Sequence, residues 1–294
     1  MDKKDQIIKI QKTASTLFDL QEHSDIIGGG EIGKLMVKKT GIEWPRISVS
    51  AFSAFPVARF HTNHSVLEFF AKKYGAKLQI IELGAGFTPH FLNLKTEIGK
   101  YIEVDLETNS ELKKQIMSEI PHKGNLVFIA GDILEESTWE KIKQEINADN
   151  PVVIFSEGVI SQYFNDDQKM KIASLVKNIL VADGSCIIFD DTLRNHPELH
   201  DHPLIKEGMS KIVLKSGSDI YKNNFQTFDQ EIKKLKGLFI DKEVVLVDYI
   251  LSKPEMDFAV SIFKLIVCIK DSDGRITSEL LELSNQNKPK RVWK

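Results

Sequence analysis

Carboxylates recur where the predicted strands of this chain end. A first apolar run carries Glu82 into Gly84-Ala85-Gly86. Glu103 and Asp105 close the second run, and Gly131-Asp132 the third. Ser156-Glu157-Gly158 closes the fourth and Asp190-Asp191 the fifth. Ligands of open α/β sheets bind outside the carboxyl ends of the strands. The pattern therefore predicts a rim of carboxylates around one crevice. A single acid at a loop edge means little, because such acids also cap helices and stay solvated. Recurrence at successive strand ends carries the reading.

Residues 78–90 read L-Q-I-I-E-L-G-A-G-F-T-P-H and predict a strand, a glycine turn and a helix start. Thr88 has the character of an N-cap, and Pro89 suits the first helical position, where a missing N–H costs nothing. Such a junction brings a ligand against bare backbone and unsatisfied N–H groups. A dinucleotide fingerprint reads G-x-G-x-x-G/A. Here the sixth position is Pro89, a partial match.

The sign of the rim separates the candidate ligands. Crowded carboxylates repel a pyrophosphate. S-adenosylmethionine instead carries a sulfonium, an ammonium, ribose hydroxyls and an adenine amino group, all suited to acceptors. Its one carboxylate needs one cation, and Arg59 is available. Asp105 lies 21 positions after Gly84, near the offset of about 20 residues for a ribose-binding acid. Glu103 shares its strand face and competes, but Asp105 lies nearer the carboxyl end. A nucleotide-sugar or NAD-linked oxidoreductase and a non-catalytic, cofactor-binding fold member are the competing readings.

Hydrophobic periodicity supplies the elements that must position these residues. Strands over residues 78–83, 101–106, 125–130, 152–156 and 185–189 alternate with helices starting near Pro89 and spanning 110–120, 137–146 and 166–180. This alternation predicts an α/β fold with a doubly wound, mostly parallel sheet. Upstream, residues 4–23 predict an amphipathic helix. Gly28-Gly29-Gly30 predicts a hinge, since no strand precedes it and no G-K-[ST] ending follows. Residues 41–58, with Trp44, Phe52 and Phe55 beside Pro45 and Pro56, read as an irregular apolar segment that packs on the core or lids a pocket. A helix follows over 63–74. Downstream, 192–225 reads as a polar insertion and 228–238 as a helix. Strands 243–251 and 263–270 are separated by about a dozen residues, a link that suits an antiparallel pair. Residues 271–294 read as a frayed tail. The expected organisation is an N-terminal helical cap over 1–60, a main domain over 61–275 and a tail over 276–294.

Composition sets outer bounds. Net charge is −3, with 39 Lys and Arg against 42 Asp and Glu, so no basic excess points to nucleic acid. Apolar runs fall short of the roughly 18 residues that a membrane span needs. The N-terminus leads into no apolar signal region, so a cytoplasmic protein is expected. Cys186 and Cys268 lie in predicted strands and read as buried free thiols. His196, His200 and His202 match no ligand spacing, and no metal is expected.

The motifs E-L-G-A-G-F-T-P-H, Y-I-E-V-D-L-E, G-D-I and S-E-G-V-I-S-Q-Y-F resemble class I methyltransferases. More narrowly they resemble the leucine carboxyl methyltransferase group, which includes polyketide O-methyltransferases. The resemblance covers residues 55–191. It implies a Rossmann-like, seven-stranded sheet whose last strand is antiparallel, and S-adenosylmethionine as cofactor. It also implies that Arg59 holds the methionyl carboxylate, Gly84 lines the methionyl moiety and Asp105 binds the ribose. Asp132 and Ile133 would meet the adenine, and Glu157 would sit near the amino group, with Glu82 and Gly86 completing the lining. The acceptor would be a carboxylate or hydroxyl of a small molecule, or a protein C-terminus. A carboxylate acceptor needs no base. A hydroxyl would, and His90, His61 and Tyr163 are the candidates.

Overall fold

The computed structural model describes residues 26–40, 50–190, 228–239, 241–248 and 264–287. The predicted helix over 4–23, the aromatic residue Trp44 and the insertion over 192–225 lie outside the described residues. Seven strands form one sheet: β1 Gln79–Leu83, β2 Lys100–Asp105, β3 Leu126–Ala130, β4 Val152–Ser156, β5 Cys186–Asp190, β6 Glu243–Asp248 and β7 Lys264–Ile269. Their order is β3-β2-β1-β4-β5-β7-β6. The first five run parallel. β7 runs antiparallel to both β5 and β6, as the short predicted link requires. Chain order reverses between β1 and β4, and a crevice opens at such a switch point.

β1, β4 and β5 are buried along their whole length. Parallel strands covered on both faces read as continuous apolar runs, which is why these were legible. The period of two then sorts the side chains. Ile80, Tyr101, Val153, Phe155 and Ile188 enter one core, beneath Ile32 and Met36 of helix α1 (Gly29–Thr40) and Val66, Leu67 and Phe70 of helix α2 (Ser50–Tyr74). Ile81, Leu83, Ile102, Val104 and Ile154 enter the other. Register pairs Glu82 with Glu103 and with Phe155, so both acids join the first face.

Helix α3 is one turn, His90–Asn93, and α4 spans Glu107–Met117. Helices α5 (Glu136–Glu145) and α7 (Asp166–Lys177) cover the second face through Trp139, Ile142, Ile172 and Val176. The short α6, Ile160–Tyr163, precedes α7. A reciprocal capping box between Asn165 and Gln168 starts α7. Helix α8 spans Phe228–Leu238, as predicted. Cys186 and Cys268 are buried free thiols in opposite cores.

Several expectations are corrected. The segment read as irregular over 41–58 is helical from Ser50, so α2 begins 13 residues before Asn63 and runs through Pro56. A proline forfeits one backbone hydrogen bond, but the buried Ala58, Phe60, Val66, Leu67 and Phe70 downstream hold the helix on the sheet. Two of the three glycines read as a hinge, Gly29 and Gly30, lie inside α1, while Gly28 has φ +85° and a Cβ there would collide with Leu92. It ends a turn directly before α1. The segment read as a frayed tail carries helix α9, Arg275–Asn287, which docks Ile276 and Leu280 into the first core.

Docking of α9 predicts a contrast measurable by urea unfolding. Leu280 is 0% exposed, and Leu280→Ala should cost about 2–5 kcal/mol. Its neighbour Leu281 is 46% exposed, and Leu281→Ala should stay within about 0.5 kcal/mol. Equal, small effects would mean that α9 does not carry the core.

Candidate active site

The glycine turn is closed by its own backbone. Gly84 has φ +66° and Gly86 φ +49°, a region that favours glycine. A Cβ on Gly84 would lie 2.7 Å from Val159, so that position is sealed by packing. A Cβ on Gly86 would meet nothing nearer than Gly84 O at 3.9 Å, so bare backbone there borders open space. The N–H groups of Gly84 and Ala85 both donate to Val104 O, and that of Thr88 donates to Ala85 O. The Gly86 N–H donates to Asp105 Oδ2 at 2.6 Å. Asp105 Oδ1 accepts from Leu106 N at 2.7 Å and Asn109 Nδ2 at 3.1 Å. Burial raises the Asp105 pKa, against the pull of these donors.

Beneath the turn lies a buried polar layer. Thr88 is not the N-cap of α3; Pro89 holds that place without a capping side chain. The Thr88 hydroxyl turns inward and sits 2.6 Å from Glu82 Oε1 and 2.9 Å from Ala85 O. The Tyr101 hydroxyl lies 2.7 Å from Glu82 Oε2. Lys113, reaching in from α4, donates to Thr88 O at 2.9 Å. Its Nζ also stands 2.7 Å from Glu103 Oε2, a contact of charge rather than an aligned hydrogen bond. Burial pushes the Glu82 carboxyl up to about 7, against His90 and then Lys113, and raises that of Glu103 against Lys113.

On the β4 and β5 side, α2 supplies two side chains one turn apart. Arg59 Nε stands 3.6 Å from Glu157 Oε1 and 3.8 Å from Asp190 Oδ2. Asn63 Nδ2 donates to Glu157 Oε2 and to Asp190 Oδ1, both at 3.2 Å. Asp190 also accepts the Gly158 N–H. A Cβ on Gly158 would lie 2.7 Å from the Arg59 guanidinium, so glycine makes room for the cation. Burial pushes Asp190 up to about 7, reinforced by Glu157 and opposed by Arg59. Burial likewise raises Glu157, opposed first by Arg59.

His90 is fully buried, stacked on Phe60 with ring centroids 4.1 Å apart. Burial pushes its pKa down to about 4, so the ring is neutral, although Glu157 Oε2 is 2.7 Å from Nε2. The contact is then a hydrogen bond between the neutral ring and the Glu157 carboxyl, not an ion pair. Burial also pushes nearby His64 down to about 4.

The structure thus brings Arg59, Glu157, His90 and Glu82 into one buried layer. Gly84 and Gly86 follow Glu82 past the end of β1, and Asp105 ends β2 beside them, joined to the Gly86 N–H. Asp132 follows β3, two strands from β1. Its Oδ1 accepts from Leu134 N, and the residue is exposed. Ile133 beside it is buried, its carbonyl accepting from Trp139 Nε1. Tyr163, half-buried, ends α6. Arg59, the cation expected for the methionyl carboxylate, stands between two carboxylates of the protein. His90, a candidate base, is fully buried against Phe60 and Glu157. Asn63 is the site residue that sequence reasoning missed, while Asp190 takes the place at the rim expected of the acid that ends β5. The Arg59–Asn63 spacing of one helical turn was the signal available for Asn63.

Comparison with known proteins agrees with this architecture. The leucine carboxyl methyltransferase family model matches residues 18–177, over half of the chain. The chain belongs to that family, whose members are S-adenosylmethionine-dependent methyltransferases. Its fold is similar to that of a DUF574-family protein of Streptomyces avermitilis, with 12% identity and a TM-score of 0.55, over 87% of this chain and 96% of that one. It is also similar to a candidate methyltransferase of Thermobifida fusca, with 13% identity and a TM-score of 0.54, over 88% and 94% of the chains. At such identity these likenesses show the fold. No curated protein matches in sequence. Among the described residues no helix is long and apolar enough to cross a membrane.

The Asn63 bridge has a pH signature. A carboxyl whose folded pKa lies above its unfolded value adds stability at low pH, and loses it as pH rises from about 4 through about 7. Asn63 favours the ionised forms of Glu157 and Asp190. Asn63→Ala should therefore cost about 1–3 kcal/mol at pH about 8 and less at pH about 5.5, read by chemical denaturation. A cost independent of pH would refute the bridge.

Proposed function

We propose that the protein transfers a methyl group from S-adenosylmethionine to the carboxylate of a small molecule or of a protein C-terminus, with the donor at the β1/β4 switch point. The observation that carries this reading is the fate of the loop amides. Those of Gly84, Ala85, Gly86 and Thr88 are donated to protein acceptors. Pro89 contributes no N–H, and α3 is a single turn with little dipole. A pyrophosphate would find carboxylates where it needs donors. That counts against a NAD-linked oxidoreductase.

The residues fit a donor-rich cation instead. Gly86 leaves open space beside the Asp105 carboxylate, which would accept the ribose hydroxyls. Asp132 and Ile133 would bracket the adenine beyond β2. Glu157, with Asp190 behind it, would face the ammonium. Arg59 would meet the methionyl carboxylate while its own charge is held by Glu157 and Asp190. When bound, the donor supplies an electrophilic methyl for an in-line displacement. The chain itself positions the partners and excludes water. Family membership supports a carboxylate acceptor, which reacts without a base.

Calorimetry tests this reading. S-adenosylmethionine and S-adenosylhomocysteine should bind and NAD should not. Asp105→Ala should weaken S-adenosylhomocysteine by about tenfold or more, the loss of one hydrogen bond to a charged group. Binding of NAD alone, or unchanged affinity in Asp105→Ala, would overturn the assignment.

A further inference from the structure

The hydroxyl groups under the glycine turn do not carry enough hydrogens. Three close oxygen pairs link Glu82 to Thr88, Thr88 to Ala85 O, and Tyr101 to Glu82, at 2.6, 2.9 and 2.7 Å. Thr88 and Tyr101 bring one hydroxyl hydrogen each, and the Ala85 carbonyl brings none. Two hydrogens cannot fill three bonds. The distances fit either direction of donation, so the count decides.

We propose that Glu82 is a neutral carboxylic acid in the working protein, a positioning residue whose proton holds the glycine turn rather than a cofactor ligand. Its Oε1–H donates to the Thr88 hydroxyl, which donates to Ala85 O, while the Tyr101 hydroxyl donates to Oε2. Each contact is then filled. When the proton leaves to solvent, Thr88 must turn its only hydroxyl hydrogen to the carboxylate, and Ala85 O, 2.9 Å from that oxygen, keeps only the longer bond from the Thr88 N–H at 3.2 Å. Ala85 lies between the two glycines that border the proposed donor site, so the change is felt there.

The surrounding charges agree. No cation touches Glu82 among the described residues. Lys113 on α4 is matched by Glu103 on β2, and it spends its remaining contact on Thr88 O. His90 on α3 is neutral and bonded to Glu157, which follows β4. Arg59 on α2 stands with Glu157 and Asp190. Glu103 on β2 pairs with Glu82 across the strands and opposes a second negative charge. Glu82 itself is 1% exposed, and an unpaired carboxylate at such a place is costly, whereas a neutral acid with its bonds made is not. Burial raises its pKa to about 7.

Glutamine reproduces the bonds of the neutral acid: its amide donates to Thr88 and its carbonyl accepts from Tyr101. Glu82→Gln should therefore fold. In ligand-free protein near neutral pH, the wild-type minus Glu82→Gln infrared difference spectrum should show one protonated-carboxyl band, which disappears as pH is raised. Wild-type melting temperature should fall over the same rise more than that of Glu82→Gln. Failure of Glu82→Gln to fold, or a difference spectrum with only a carboxylate band, would overturn the proposal. A second arm rests on the methyl-donor reading. S-adenosylhomocysteine affinity should weaken about fivefold with that rise in wild type, the loss of one neutral hydrogen bond, and less in Glu82→Gln. If the compound binds at no pH, the donor reading falls, while the spectrum still decides the proton.

Discussion

Four carboxyl groups, those of Glu82, Glu103, Glu157 and Asp190, are buried at one edge of the sheet, and two cations from the described helices, Lys113 and Arg59, face them. That imbalance is the constraint on which the rest of the site depends. Buried charge is tolerated only when it is paired or neutralised. Lys113 serves Glu103, and Arg59 is divided between Glu157 and Asp190. Asn63 and the Gly158 N–H complete the second group, and Glu82 is left with hydroxyl partners alone. The raised pKa values along this edge, each caused first by burial, express the same shortage.

The imbalance also shapes the surface above it. Lys113 and Thr88 tie the glycine turn to the buried layer from below, and Asp105 ties Gly86 from the side. The turn is thereby set with the amides of Gly84, Ala85, Gly86 and Thr88 spent, in contrast to a phosphate-binding loop, whose amides point at the ligand. A site of this kind offers acceptors and bare backbone. Membership of the leucine carboxyl methyltransferase family and the charge of the site agree on a cationic methyl donor.

How much of this was legible in the sequence depended on which force decided each element. The parallel strands were readable because burial on both faces leaves an unbroken apolar run. Phe228–Leu238 was found to the residue, its apolar period being free of competing signals. The row of strand-end acids was readable as well, since a period of two and a common strand direction bring Glu82, Glu103 and Asp105 to one face and one edge. Other features depended on tertiary contacts. Pro56 reads as a breaker, yet α2 continues through it because the following turns are buried. Charged and polar residues dominate 271–287, yet Ile276, Leu280 and Leu283 place α9 on the first core, and Ser284 Oγ accepts from Asp248 N of β6. Thr88 has the local signature of an N-cap, but the desolvated Glu82 below competes for its hydroxyl. Asn63 showed only its one-turn spacing from Arg59; its partners Glu157 and Asp190 lie 94 and 127 positions away and meet it only in the folded sheet.

A crystal structure of the protein with S-adenosylhomocysteine tests the central claim most directly. Ligand density should lie at the carboxyl ends of β1 and β4, with the ribose on Asp105 beside Gly86 and with Glu82 beneath the turn out of contact. Density at another edge of the sheet, or a phosphate-bearing coenzyme carried through purification in that crevice, would contradict it.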